Sequence, residues 1–257
     1  MQQMIKIKGK TFGAGKPVVC VPVVETEKEL IIEKIRTLTE KHVEMIEWRV
    51  DMFREAADAQ QVKEILAQVG PMLSDTVFLF TFRTRKQGGC SNLEEKKILY
   101  LNELAARSGC VDFVDLEFFE ATKPQKEIRR FQKMGVRIIA SHHDFEETPQ
   151  DGILKMLMDQ MQAGGADIAK LAVMPKTAED VLRLLHVTLA CRERFPELPI
   201  VTIAMGPLGV ISRLCGEVFG SCITFGADGK TSAPGQIPAE KLSELLEVLH
   251  ESVGETV

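Results

Sequence analysis

Eight short apolar runs recur along the chain at a nearly even interval, and this rhythm limits the fold more than any other feature. They are VVCVPVV (18–24), VEMIEWRV (43–50), TVFLFTFR (76–83), VDFVDLEF (111–118), VRIIASHH (136–143), ADIAKLAV (166–173), IVTIAM (200–205) and SCITFG (221–226). Each is short and apolar enough to be buried on both faces, as strands of a parallel sheet are. Between them lie segments of helical spacing, among them ETEKELIIEKIRTLTEKH, NLEEKKILYLNELAARSG, KPQKEIRRFQKMG and TAEDVLRLLHVTLACRERF; IPAEKLSELLEVLHESV closes the series as an eighth helix. Thr26 and Glu29 have the spacing of a capping box, and Gly109 and Gly135 the placing of helix stops. Eight such units in 257 residues predict an α/β fold, a (β/α)8 TIM barrel, which typically takes ~250 residues. We read residues 1–257 as one barrel domain. IKIKGKTFGAGKPVV (5–19) predicts an N-terminal β-hairpin that turns at its GAG. An open doubly wound sheet is the alternative, but no GxGxxG follows a strand, and GAGKP lacks the spacing and the hydroxyl residue of a phosphate loop.

Charge and cysteine usage narrow the partners. A formal net charge of −5 gives no electrostatic reason to expect nucleic acid or an anionic membrane. The N-terminus has no continuous apolar stretch of the signal-peptide kind, and no run is long enough to span a bilayer. The six cysteines form no CxxC pair and no zinc-type spacing with histidine. No metal site is expected, and a reducing cytoplasm is the expected location.

The polar residues of the strands gather at one end. In a barrel, chemistry sits at the C-terminal ends of the strands. Period-two alternation puts Glu47 and Arg49 of EWRVD on one face, with Trp48 and Val50 on the other. Arg83 shares a face with Thr81, and Asp115 with Glu117; SHHDF ends the fifth strand. His42, His186 and His250 fall in or beside helices and read as surface or packing residues. Lys170 interrupts the otherwise apolar GADIAKLAVMP. An unpaired buried ammonium costs several kcal/mol, so it snorkels, pairs, or is useful because its charge is destabilised. Near Arg49 and Arg83 its pKa should fall, leaving a neutral amine able to condense with a ketone. The resulting iminium acidifies the adjacent C–H, and a histidine titrating near neutrality takes that proton. The pattern points to a cofactor-free Schiff-base lyase or aldolase acting on a small, anionic, hydroxylated carbonyl compound.

Nearly end to end the chain resembles type I 3-dehydroquinate dehydratase, the Schiff-base hydro-lyase of the shikimate pathway to aromatic amino acids. The blocks carrying the resemblance are EWRVD, FTFRTRKQGG, VDLE, SHHDF, ADIAKLAVMP, MGPLGVISRL and FGSCITFGADGKTSAPGQIP. It implies that Lys170 forms a Schiff base with the C3 ketone of 3-dehydroquinate on the way to 3-dehydroshikimate. It implies that His143, not His142, removes a C2 proton and later protonates the leaving C1 hydroxyl. Arg213, Ser232 and Gln236 match the group holding the substrate carboxylate, and an arginine fork suits that planar anion. Glu47, Arg49 and Arg83 match the group around the ring hydroxyls, with Met205 and Phe225 as apolar walls. The resemblance implies a homodimer and no cofactor. One departure stands out: related chains have KEGG where this one has KQGG, so Gln87 takes the place of a glutamate paired with the histidine. Asp115 or Glu117 are candidates to supply the missing charge.

Two other readings compete. A class I aldolase or transaldolase would use the same lysine on a phosphorylated sugar, with GPLG (206–209) as half of a phosphate site. A catalytically inert barrel would bind a small acid alone. GADGKTSAPGQIP (226–238) is expected to form a lid, since its glycines permit hinge geometry and its prolines limit the open states.

Overall fold

Parallel pairing runs without interruption from strand to strand in a computed structural model that describes residues 4–254. The eight barrel strands are β3 (Val18–Val23), β4 (Met45–Arg49), β5 (Val77–Thr81), β6 (Phe113–Glu117), β7 (Arg137–Asp144), β8 (Ile168–Val173), β9 (Ile200–Ala204) and β10 (Ile223–Ala227). They pair in sequence order, and β11 (Ile237–Pro238) adds beside β10. The curled sheet with its outer helices is the (β/α)8 barrel that the strand rhythm predicts. Helices α1 (Lys28–Glu40), α2 (Ala59–Val69), α3 (Glu95–Arg107), α4 (Pro124–Gln132), α5 (Asp151–Ala163) and α6 (Ala178–Arg194) follow β3 to β8 in turn. Only a 3₁₀ segment (Pro207–Arg213) and the single turn α7 (Gly216–Phe219) follow β9, and α8 (Ala239–Val253) ends the series.

Alternation along each strand divides the core in two. Outward residues such as Ile46, Trp48, Phe78, Phe80, Val114, Ile138 and Leu171 meet the helices in one apolar layer. Inward residues Met45, Val77, Leu79, Phe113, Ile139, Ile168, Val201 and Ile223 form a second cluster within the barrel. Along the inward face β4, β6, β7 and β8 change character from the N-terminal to the C-terminal end. Met45 gives way to Glu47 and Arg49, Phe113 to Asp115 and Glu117, Ile139 to Ser141 and His143, and Ile168 to Lys170. The apolar half excludes water from below the polar half.

The N-terminal hairpin closes the apolar end. It comprises β1 (Ile5–Ile7) and β2 (Lys10–Phe12), paired antiparallel. Its turn is Lys8–Gly9, both at positive φ (47° and 74°), not the GAG segment expected from the sequence. A two-residue hairpin connection takes positive φ at both positions. Here the Lys8 backbone is held by its side chain, which donates to the Thr76 carbonyl (3.0 Å) and pairs with Asp112 (2.7 Å). Phe12 is buried inside the barrel, edge-on to Phe113 at 5.2 Å.

The capping box expected at Thr26 is also absent. Helix α1 starts one residue later than that box requires, with Glu27 as its cap and no side-chain hydrogen bond. A complete box instead caps α6, where Thr177 and Asp180 bond reciprocally to each other's backbone N–H. Gly109 and Gly135 do follow the ends of α3 and α4, at φ +77° and +98°.

Closure between β9 and β10 rests on little. One bridge pairs Ile200 with Ser221, the Cys222 N–H donates to the Ile200 carbonyl (2.8 Å), and the Thr202 N–H donates to Ser221 Oγ (3.1 Å). Ser221→Ala leaves that buried N–H without an acceptor, a loss of about 1–3 kcal/mol. The expected result is a lower urea midpoint at unchanged m-value; an unchanged midpoint would show that the seam closes without the hydroxyl.

Candidate active site

The polar half of the barrel encloses a cavity of about 50 Å³. Glu47, Arg49, Arg83, His143, Lys170, Met205, Phe225 and Arg213 line it from the strand ends and the 3₁₀ segment, and Ser232 and Gln236 line it from the segment after β10. All ten residues singled out in the sequence therefore reach one space. The register explains two of them: Lys170 pairs with Ser141 on β7, so His143 stands one inward position above it. His142, one residue away, turns outward and lies edge-on to Phe119 at 5.3 Å.

Arg83 is the centre of the charge network. Its guanidinium lies 2.9 Å from Asp115 and 3.0 Å from Glu117, and donates to Ser141 Oγ (3.0 Å). Burial alone would depress its pKa; the Asp115 and Glu117 carboxylates overcome burial and raise it. Asp115 is likewise penalised by burial, yet Arg83 and then Lys170 hold its carboxyl below the usual range. Ser141 Oγ donates to Asp115 at 2.6 Å, and Glu117 also accepts the Thr84 N–H (2.8 Å) and hydroxyl (2.7 Å). Arg83 therefore lines the cavity with Nη1 hydrogen-bonded to Glu117 and Ser141 and Nη2 in an ion pair with Asp115.

Arg49 is held by a residue the sequence reading passed over. Asp51 accepts from its Nε (2.8 Å) and Nη2 (2.9 Å), and also from the backbone N–H groups of Arg83 (3.2 Å) and Cys90 (3.1 Å). Its signal lay in the quoted EWRVD, where a carboxylate follows the arginine by two positions. Glu47 accepts the Thr81 hydroxyl at 2.8 Å.

Lys170 is fully enclosed. Its Nζ lies 3.8 Å from Asp115 and 4.3 Å over the Phe225 ring. Its pKa is lowered, first by burial, with Glu47 and Asp115 opposing and Arg83 assisting. The direction is the one expected from partial burial near arginines, with burial the larger cause and Arg83 the smaller.

His143 is governed by burial and then by neighbouring charge. Burial first, then Arg83, Lys170 and Arg49, push its pKa well below the usual 6.5. Asp115 and Glu117, candidates to supply a counter-charge, are instead bound to Arg83. Gln87 takes that place with a neutral amide: its Oε1 accepts the His143 backbone N–H (2.9 Å) and lies 3.2 Å from Nδ1. An acceptor there favours the tautomer with the proton on Nδ1, leaving the Nε2 lone pair free. The two glycines after Gln87 make this approach possible. A Cβ on Gly88 would lie 2.3 Å from the Phe145 ring, and one on Gly89 would lie 1.9 Å from the Arg83 carbonyl.

Arg213 differs from the other two arginines. Its Nη2 donates to the Pro234 carbonyl (3.0 Å) and its Nη1 to the Phe225 carbonyl (3.4 Å), while its Nε has no partner among the described residues. No carboxylate offsets its burial, which pushes its pKa down to about 10. Pro234 belongs to the segment after β10, where Gln236 and Ser232 bond to each other through Oε1 (2.8 Å) and Nε2 (3.0 Å). That segment covers the cavity, and a Cβ on Gly235 would lie 2.4 Å from the Gly206 carbonyl. GPLG is accounted for by packing: a Cβ on Gly209 would lie 2.0 Å from the Ala204 carbonyl. Among the described residues no group of three or more His, Cys, Asp or Glu is placed to hold a metal, and no helix is long and apolar enough to cross a membrane.

A sequence profile described as type I 3-dehydroquinase matches residues 19–253. The chain is 39% identical to a 3-dehydroquinate dehydratase of Bacillus licheniformis, over 98% of this chain and 100% of that one. It is 42% identical to a 3-dehydroquinate dehydratase of Listeria monocytogenes, over 96% and 98%. The crystal structure of type I 3-dehydroquinate dehydratase from Clostridium difficile with covalent modified comenic acid superposes with a TM-score of 0.94 at 39% identity, covering 98% and 100%.

Two outcomes follow from this geometry. Gln87→Glu places a negative charge beside His143 and raises its pKa; an upward-moved imidazole titration by NMR is expected, and an unmoved curve would mean the two side chains do not interact. Gly235→Ala, strained at φ +76° and blocked by Gly206, should hold the segment after β10 open. Faster limited proteolysis within 228–236 is the expected sign; parental cleavage rates would show that the segment seats without that contact.

Proposed function

The chain belongs to the type I 3-dehydroquinase family, and on that premise we propose that it dehydrates 3-dehydroquinate to 3-dehydroshikimate through a Schiff base on Lys170. The observation that carries this reading is the pairing of a buried lysine of lowered pKa with a histidine one register step above it. Neutral Lys170 attacks the C3 ketone; loss of that oxygen as water, with one proton taken up from solvent and given back when the imine is hydrolysed, gives a protonated imine. The imine draws electrons from the C2–H bond, and neutral His143 takes the proton. The same proton returns to the C1 hydroxyl, which leaves as water as the C1–C2 double bond forms. Hydrolysis of the imine frees the lysine and the product, so one water is lost overall.

The remaining residues are assigned by what they have left to offer. Arg213 is a buried cation with no carboxylate beside it, the condition that a substrate carboxylate relieves. Ser232 and Gln236 close over that group. Glu47 and Arg49 face the ring hydroxyls, with Met205 and Phe225 as apolar walls. Arg83, anchored through Nη1 by Glu117 and Ser141, faces the same side of the pocket. Burial first, and then the nearby Arg83 and Arg49 guanidiniums, disfavour the protonated form of His143. Together they make the imidazolium a strong acid once formed, which suits a group that must give the proton back. By the family resemblance we also infer a single-domain cytoplasmic homodimer that works without metal or organic cofactor. A phosphorylated-sugar aldolase is disfavoured by Gly209, whose missing Cβ is filled by Ala204.

Incubation with 3-dehydroquinate and borohydride should trap one substrate mass on Lys170, and the enone product should appear by absorbance without borohydride. Lys170→Met should abolish both. His143→Ala should still trap substrate but lose ~10²–10⁴-fold in turnover. Because Lys170 binds its proton less well folded than unfolded, its burial costs stability at neutral pH and the cost fades as pH rises toward the unfolded pKa of ~10.4. Lys170→Met should therefore be at least as stable as the parent at pH 7, with the gap narrowing in alkali. Retained dehydration in Lys170→Met would overturn the mechanism.

A further inference from the structure

Ser141 does not line the substrate cavity, yet it sits beside the residue on which the chemistry turns. It is wholly buried on the inward face of β7, level with Lys170 of β8 in the strand register. Its hydroxyl bonds in both directions: Oγ accepts from Arg83 Nη1 (3.0 Å) and donates to Asp115 Oδ1 (2.6 Å).

Asp115 is shared between two cations. Its Oδ2 lies 2.9 Å from Arg83 Nη2 and 3.8 Å from Lys170 Nζ, and among the described residues no donor meets that oxygen in hydrogen-bond geometry. The Ser141 hydroxyl is therefore the one directional bond that fixes how the carboxylate is turned. The two cations are also unequal. Arg83 has Glu117 as a second carboxylate (3.0 Å), whereas Asp115 is the one carboxylate at ion-pair distance from Lys170 among the described residues. A carboxylate released from Ser141 gains most by turning toward the lysine, where about 1 Å of travel reaches the ~2.7–2.9 Å of a charge-assisted hydrogen bond.

We propose that Ser141 is a positioning residue for the reaction: its hydroxyl holds Asp115 on Arg83 and so denies Lys170 the close carboxylate that would keep it protonated. The other charged or titratable groups around the lysine are Cys20 from β3, Glu47 and Arg49 from β4, Arg83 from β5, His143 from β7 and Arg213 after β9. Of these the Ser141 hydroxyl bonds to Arg83 alone, so its influence on the lysine runs through the Arg83–Asp115 pair. Its catalytic meaning rests on the Schiff-base chemistry proposed for Lys170; its hold on Asp115 does not.

In the full chain carrying carbon-13 at lysine Cε, the Lys170 resonance, identified by its loss in Lys170→Met, follows the titration of the amine without substrate. Ser141→Ala should move that midpoint up by about one pH unit, a tenfold loss of neutral amine below the midpoint. Asp115→Asn removes the carboxylate that Ser141 directs, so adding Ser141→Ala to it should leave the midpoint where Asp115→Asn alone puts it. With 3-dehydroquinate, the borohydride-trapping rate of Ser141→Ala should fall about tenfold below the lysine midpoint and recover above it. Ser141→Cys, close in size but a weak donor, should shift the midpoint in the same direction and decides the matter should Ser141→Ala fail to fold. A midpoint that does not rise, or one that rises as much without the Asp115 carboxylate, would overturn the proposal. Absence of trapping in the parent would instead overturn the Schiff-base chemistry, while the midpoints would still decide the hold of Ser141 on Asp115.

Discussion

The ion cluster of Arg83 with Asp115 and Glu117 is the constraint on which the rest of the polar half depends. These groups come from β5 and β6 and are bridged by Ser141 of β7, so three adjacent strands must keep their register for the charges to meet. Such a cluster is a poor source of stability, because taking each charge out of water offsets most of the mutual attraction. Its consequence is electrostatic. With Asp115 and Glu117 bound to Arg83, Lys170 has carboxylates nearby but none to itself, and the balance leaves its pKa lowered. An Asp115 freed from Arg83 would form a closer pair with the lysine and hold its proton.

The same cluster explains how a glutamine serves beside His143. A glutamate at Gln87 would add a charge and raise the affinity of the imidazole for a proton. The amide gives orientation alone: one oxygen takes the His143 backbone N–H and faces Nδ1. The cations then act unopposed, and the histidine is a weaker base that returns its proton more readily. A change from charged to neutral at one position shifts the ease of the two halves of a proton shuttle in opposite directions without moving the ring.

The sequence made the barrel and the inward residues legible because a parallel strand buried on both faces has strict two-residue alternation, and a charged residue in it must face the lumen. Short-range signals were less reliable. Thr26 had the right spacing for a cap, but α1 starts where the chain leaves β3, and tertiary geometry set that boundary. The hairpin turned at Lys8, whose side chain reaches Thr76 and Asp112, rather than at a segment with two glycines. Ser141 escaped notice because its role depends on Arg83 and Asp115, more than twenty positions away along the chain, whereas Asp51 stands two positions after the Arg49 it holds.

The segment after β10 brings the two remaining ideas together. When it is seated, Arg213 donates to the carbonyls of Pro234 and Phe225, neutral acceptors that satisfy hydrogen bonds without offsetting charge. Seating the segment therefore removes a guanidinium from water and gives no opposite charge in return, a cost that burial alone makes visible in the lowered pKa of Arg213. A bound carboxylate reverses the sign of that term, since the same dehydration then strengthens an ion pair. On the proposed function the closed arrangement is thus favoured by the substrate carboxylate, and the position of the segment would report occupancy of that end. Gly206 and Gly235, packed backbone to backbone, let the seated form be tight enough for that difference to be felt. On the proposed function, closure and substrate charge are coupled through a single arginine, while burial, with the charges around them, lowers the pKa of the lysine and histidine beneath it.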